Sequence, residues 1–200
     1  MKSWFGVCGV LFAATPLWAA APVAEIQSML AKPKVLCGRF DQNKQLTGLK
    51  KPMLSNGRFC VVAERGVLWR TLQPFPNTVR LTRDEIVQLQ GDRVAMRLDA
   101  KQEPAVRTIN SILFALLAGD LNQIERLFEV DGAIHENSWK VTLKARDPAL
   151  ARVMSAVSLE GAEHVKSIAI SETSGDRTSI VFSKIQVGDG AMSTDEAALF

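Results

Sequence analysis

From residue 35 onward most of the chain is a succession of short segments in which apolar residues recur at every second position, and a period of two commits a chain to sheet rather than helix. VLCGRFDQ, RFCVVA, GVLWRTL, NTVRLTR, EIVQLQ and RVAMRLD follow one another, with turn chemistry at Ser55-Asn56-Gly57, at Pro74 and Pro76, and at Gly91-Asp92. From Arg93 to Asp99, Val94, Met96 and Leu98 share one face and Arg93, Arg97 and Asp99 the other, so one side of the sheet is apolar and the other wet. After Gly132 the pattern resumes: SWKVTLK sets Trp139, Val141 and Leu143 against Lys140, Thr142 and Lys144, and ARVMSAVSLEG, HVKSIAISE and DRTSIVFSKI follow. Gly161-Ala162 and Ser174-Gly175-Asp176 supply their turns. Connections this tight do not carry parallel crossovers, and the expected architecture is an antiparallel meander of about nine or ten strands.

Helical spacing interrupts the alternation twice. PVAEIQSMLAK places Val23, Ile26, Met29 and Leu30 on one stripe before Pro33 ends it. EPAVRTINSILFALLAGDLNQIERLF lines up Val106, Ile109, Ile112, Leu113, Leu116 and Leu117, with Pro104 in the first turn. Gly119 breaks that run, and Asp120 with Gln123 opens a second helix through Leu121, Ile124, Leu127 and Phe128. Phe114, Ala115 and Ala118 make the first of the pair apolar nearly all round, which requires cover on more than one side. Three short helices must therefore cover a wide apolar sheet face. Either the sheet curls tightly enough to fill itself or it stays open and holds something apolar, and pattern alone leaves both outcomes open.

The N-terminus, MKSWFGVCGVLFAATPLWAAAP, has a basic start, an apolar run and small residues after it, the form of a cleaved secretory signal over residues 1–21 with the cut after Ala19 or Ala21. Residues 22–200 then form a single domain. In the oxidising compartment this implies, Cys37 and Cys60 are expected to form a disulfide that staples neighbouring strands, a stabilisation of ~3 kcal/mol in the chain-entropy model. They bracket CGRFDQNKQLTGLKKPMLSNGRFC, in which Gly-Arg-Phe occurs on both sides. The net charge of +3 is scattered, and no nucleic-acid footprint is present. Lys44, Lys50 and Lys51 form the one cluster and read as a solvated hairpin tip. His135 and His164 each stand alone without metal-ligand spacing, no G-x-S-x-G or H-E-x-x-H occurs, and the glycines form no phosphate loop. No catalytic residue, metal or cofactor is expected, and the chain reads as a non-enzyme.

The order of these features resembles the LolA-type periplasmic carriers of outer-membrane lipoproteins. A secretory signal and a short helix precede Phe40-Asp41-Gln42, where that family writes Phe-x-Gln; SNGRFCVVAERGVLWRTLQP follows, with Trp69 and Pro74 at the family's separation, then a hairpin, a helical insert and more strands. The resemblance covers essentially the whole chain after the signal. It implies a mainly β, incomplete antiparallel β-barrel whose concave apolar face is lidded by short helices. By position, the cavity wall would include Phe40, Phe59, Val61, Trp69, Val79, Leu81, Val94 and Met96. The lid would offer Ile109, Ile112, Leu113, Leu116 and Leu117. Arg65, in AERGVLW, is the candidate for the arginine that latches the lid, although the Pro that family members often carry before the Trp is missing. The implied cargo is an acylated lipoprotein or lipid, carried by a monomer through the periplasm from an inner-membrane exporter to an outer-membrane acceptor. A carrier of another hydrophobic product, such as a glycolipid or a polyene-like acyl chain, a lipid-sensing regulatory domain and an envelope hydrolase are the alternatives.

Overall fold

The structure is a computed structural model that describes residues 23–91, 93–99, 101–102 and 124–200. After helix α1 (Val23–Met29) come β1 (Val35–Gln45), β2 (Met53–Val62), β3 (Gly66–Gln73), β4 (Asn77–Leu81), β5 (Glu85–Gln90) and β6 (Arg93–Asp99). Then follow β7 (Phe128–His135), β8 (Ser138–Ala145), the short helix α2 (Pro148–Ala151), β9 (Met154–Gly161), β10 (Val165–Glu172), β11 (Arg177–Val187), a 3-10 turn (Asp189–Ala191) and helix α3 (Thr194–Ala197). All eleven strands form one sheet in the order β6-β5-β4-β3-β2-β1-β11-β10-β9-β8-β7. Every neighbouring pair is antiparallel. β6 and β7 are the two outer strands, so the sheet is not closed. This is the mainly β, incomplete barrel that the resemblance implied.

The repeated Gly-Arg-Phe acquires its reason in the β1–β2 register. Cys37 lies opposite Cys60, Gly38 opposite Phe59, Arg39 opposite Arg58 and Phe40 opposite Gly57. Read along one strand and back along the other, the two strings match residue for residue, with each phenylalanine facing a glycine. A Cβ built on Gly57 would lie 1.9 Å from the Arg70 carbonyl oxygen and 2.8 Å from the Phe40 ring; one on Gly38 would lie 2.9 Å from the Phe59 ring and 2.8 Å from Ile185. The glycines thus make room for the rings, and the Cys37–Cys60 disulfide holds the register that brings them there.

Two sequence expectations give way here. Ser55-Asn56-Gly57 lies inside β2 instead of forming a turn, and the hairpin turn falls between β1 and β2 at residues 46–52. The same residue type serves tight turns and close backbone approaches, and at Gly57 the neighbouring ring decides which. Phe128, expected at the end of a helix, begins β7, and Gly132 sits within that strand opposite Val141. FEVD satisfies a period of two as well as a helical stripe, and pairing with the eight residues of β8 settles the choice. Of the expected second helix only its end near Ile124 is described. The expected lid positions Ile109, Ile112, Leu113, Leu116 and Leu117 lie outside the described residues.

α1 forms as its spacing predicts. Its Ile26 is fully buried, Leu30 just beyond it is buried as well, and the Ala31 N–H donates to the Glu163 carbonyl, tying the helix end to the β9–β10 turn. α2 starts on Asp147, whose Oδ1 accepts from the N–H groups of Ala149 (2.7 Å) and Leu150 (3.1 Å), with Pro148 in the first turn.

Gly57→Ala is expected to destabilise the protein by about 3 kcal/mol, because the new methyl meets a backbone carbonyl that cannot swing aside, whereas Gly190→Ala, whose Cβ meets open space, should change stability by less than about 0.5 kcal/mol. Urea unfolding of the two variants checks the contrast; equal midpoints would overturn the packing account.

Candidate binding face

Directly opposed residues in antiparallel strands point to the same side of a sheet. One row therefore runs from Gly38 through Phe59, Trp69, Val79 and Gln88 to Met96. A parallel row runs from Leu36 through Val61, Val67, Leu81 and Ile86 to Leu98. In the other arm Ile180, Ile168, Leu159 and Val141 continue this face. Phe40, paired with Phe182, sits between the arms. Its ring stacks on Trp69 at 3.9 Å between centroids, and Phe59 meets Phe182 at 4.7 Å. Apart from Gly38, Gln88 and Met96, these residues belong to one hydrophobic cluster with Ile26 and Leu30 of the α1 segment, Ile124 and Phe128.

Burial across this face is graded. In the β7–β9 arm Phe128, Trp139, Val141, Leu143, Val157 and Leu159 are sealed, under α1 and Ile124. In the other arm Phe40, Phe59, Val61 and Leu81 are buried, Trp69 and Val79 half-buried, and Met96 is 39% exposed. The arm that ends at β6 keeps apolar side chains within reach of solvent.

Val94 departs from the expected wall. The β5–β6 ladder shifts register between Gln88 and Leu89, so Met96 faces Gln88 while Val94 faces Leu89, two residues on opposite sides of β5. The extra residue, Ala95, turns Val94 to the other face of the sheet, where its side chain is exposed. Strict alternation cannot foresee such a bulge.

The opposite, convex face carries a second, smaller core. Val35, Cys37, Cys60, Val62 and Leu68 are covered there by Ala191, Met192, Leu199 and Phe200 of the C-terminal segment. Polar contacts pin that segment down. Arg58 Nε donates to Glu196 Oε1 (2.7 Å) and its Nη2 to the Ala191 carbonyl (2.6 Å), while Arg80 Nη1 donates to the Leu199 carbonyl (2.9 Å). Glu196 also closes a capping box on α3, its Oε2 accepting from the Ser193 N–H as its own N–H donates to Ser193 Oγ. Burial pushes the Glu196 carboxyl up, but the hydrogen bond and charge of Arg58 and the Ser193 N–H outweigh it and hold the group below the usual range. Arg65, expected as a lid latch, lies beside this segment, and the lid positions it would meet lie outside the described residues. Its guanidinium stands 5.4 Å from the centroid of the Phe200 ring.

Among the described residues no group of three or more His, Cys, Asp or Glu side chains could hold a metal ion. A cleft of about 510 Å³ on the convex side is lined by Lys34, Glu64, Arg65, Asp189 and Met192 among others, and its mixed charges do not suit an acyl chain. The concave face holds the larger of the two apolar clusters among the described residues.

The model of the LolA-like outer membrane lipoprotein carrier proteins matches residues 14–199. The chain belongs to this LolA-like family. Solved structures with a similar fold include the LolA superfamily protein NE2245 from Nitrosomonas europaea, at 8% identity and a TM-score of 0.45 over 86% of this chain and 96% of that one. A putative outer membrane lipoprotein-sorting protein domain from Vibrio parahaemolyticus matches at 11% identity and a TM-score of 0.45 over 88% and 95%. A MucB structure matches at 11% identity and a TM-score of 0.49, and there the chain spans 60% of its counterpart. A search of the curated proteins returns no relative.

Within this LolA-like sheet the expected wall was drawn from β1 to β6 alone. Phe182, Ile180 and Trp139 belong to the same face and were absent from the expected wall, though SIVFSK and SWKVTLK carry their alternation plainly. Sequence shows which residues alternate, but only the β1–β11 pairing shows that the second half of the chain continues the first half's face.

Because the Glu196 carboxyl titrates lower in the folded protein than in the unfolded chain, its contribution to stability is full above an unfolded value of about 4.3 and is lost as pH falls through the lower folded value. Glu196→Gln should cost about 2 kcal/mol at pH 7 and nothing comparable once the carboxyl is protonated. Thermal unfolding of both proteins from pH 7 to strong acid checks this; a gap that stays constant with pH would refute it.

Proposed function

We propose that this LolA-like protein is a periplasmic carrier that shelters the acyl chains of lipoproteins between the inner and outer membranes. The observation that carries the reading is the graded concave face: an apolar wall that is sealed along β7–β9 and still accessible at Trp69, Val79 and Met96 toward the outer strand β6. Acyl chains need apolar surface and little else, so Phe40, Phe59, Val61 and Leu81 serve as the floor, and Trp69, Val79 and Met96 as the part that meets cargo. No bond is made or broken. The family membership supports a lipid or lipoprotein cargo and a periplasmic setting, and the secretory signal read in residues 1–21 agrees with it. An inner-membrane exporter and an outer-membrane acceptor complete the route.

Removing a chain of about fifteen methylenes from water is worth up to ~12 kcal/mol at ~0.8 kcal/mol each, enough to make release very slow. Transfer therefore requires something that competes with cargo for the wall. Ile109, Ile112, Leu113, Leu116 and Leu117 are the apolar positions available for such a cover, whose displacement the cargo must offset.

Val79→Asp and Met96→Asp should each weaken binding of a fluorescent fatty acid about tenfold or more, whereas Val181→Asp, exposed and paired with Asp41 on the other face, should leave it unchanged. Leu113→Asp or Leu116→Asp should strengthen binding of the same probe by loosening the cover. Equal affinities across the set would refute the carrier reading. Native mass spectrometry of the protein purified from the periplasm, with the organic extract analysed, would name the cargo and would expose a different hydrophobic product.

A further inference from the structure

Half of the large apolar side chains that the described structure leaves exposed lie at one end of the sheet, in or beside the β1–β2 and β3–β4 connections. Phe75 is 77% and Leu54 64% exposed, and Leu49, Met53 and Leu72 are exposed beside them. Register makes them neighbours. Asn56 is paired with Gln73, and its side-chain amide donates to Gln73 Oε1 (3.1 Å), so the end of β2 that carries Leu54 lies beside the end of β3 from which the chain runs on to Phe75.

The hairpin that carries Leu49 and Met53 is braced. The Thr47 N–H donates to Asp176 Oδ1 (2.7 Å), Thr47 Oγ1 donates to the Ser174 carbonyl (3.0 Å), and Gln45 Nε2 donates to the Leu49 carbonyl (2.7 Å). Lys44 at its base pairs with Glu172 across β11 (3.5 Å). This anchored loop holds Leu49 out in solvent. Lys50 and Lys51 stand exposed between Leu49 and Met53 and join no ion pair among the described residues.

We propose that this end of the molecule docks on an anionic lipid bilayer, with Leu54, Leu72 and Phe75 entering the interface and Lys50 and Lys51 meeting lipid phosphates. The charge pattern selects this occupant. Apolar side chains interleaved with unpaired lysines match a surface that is apolar below and negative above. A second copy of the chain meeting tip to tip would oppose four lysines, and the neighbouring Asp176 carboxylate already accepts from the Thr47 N–H. Docking in this way would hold for any cargo and is separate from the carrier reading, and it would bring the concave face up to a membrane without a protein receptor.

Flotation of the purified protein with vesicles tests it, comparing neutral phosphatidylcholine with vesicles containing about a quarter phosphatidylglycerol. The wild type should float with the anionic vesicles alone at about 50 mM salt and should lose at least about tenfold in partitioning at about 500 mM, where the screening length shrinks severalfold. Replacing both lysines by glutamine should lower partitioning about 25-fold, at roughly fivefold per lysine near an anionic surface. Leu54→Ser combined with Phe75→Ala should lower it about tenfold or more. All four side chains are exposed, so thermal unfolding should stay within error of wild type and confirm that the variants fold. Equal flotation with neutral and anionic vesicles, or indifference to either variant, would overturn the proposal. So would absence of flotation together with photocrosslinking from position 75 to an envelope protein, which would reassign the tip to a protein partner.

Discussion

The β1–β2 register is the constraint on which the rest of the structure depends. A slip of one residue would turn every side chain of a strand to the other face. Here it would also drive Phe40 and Phe59 off the glycines that make room for them and separate the two cysteines. Since β1 is the strand that joins the two arms of the sheet, through β2 on one side and β11 on the other, its register sets which residues of the whole molecule face inward.

That register divides the molecule into two chemistries. On the concave side, large rings and aliphatic chains are gathered into one cluster, and their burial decreases toward β6. On the convex side, Arg39 and Arg58 lie directly opposite each other, an unfavourable like-charge pair. Glu196 relieves it by pairing with Arg58, and in doing so anchors the C-terminal segment over the disulfide. Among the described residues the convex face is thus covered by the C-terminal segment, while the concave face keeps apolar side chains within reach of solvent toward β6. A binding protein needs this asymmetry, because a sheet sealed on both faces has nowhere to put an apolar ligand.

Much of this was legible in advance, and for identifiable reasons. The alternation in SWKVTLK, GVLWRTL and EIVQLQ reads directly as strand, because period and burial agree there. Pairing of Cys37 with Cys60 followed from the two cysteines that remain outside residues 1–21, the stretch read as a signal. The misreadings share a cause. Gly57 looked like a turn, Phe128 like the end of a helix and Val94 like part of the wall. In each case the residue's local pattern admits two structures, and a partner on a neighbouring strand chose between them: the Phe40 ring, strand β8, and strand β5 against which β6 bulges, respectively.

The amino-acid sequence by itself determined that this chain makes an antiparallel sheet with one apolar face and staples its first two strands, because those properties depend on residue type and on spacing along the chain. Tertiary structure decided which strands continue that face, where it remains open, what covers the convex side and which apolar side chains stay in water. Those outcomes depend on contacts between residues more than a hundred positions apart, such as Arg58 with Glu196 and Thr47 with Asp176, and no local period records them.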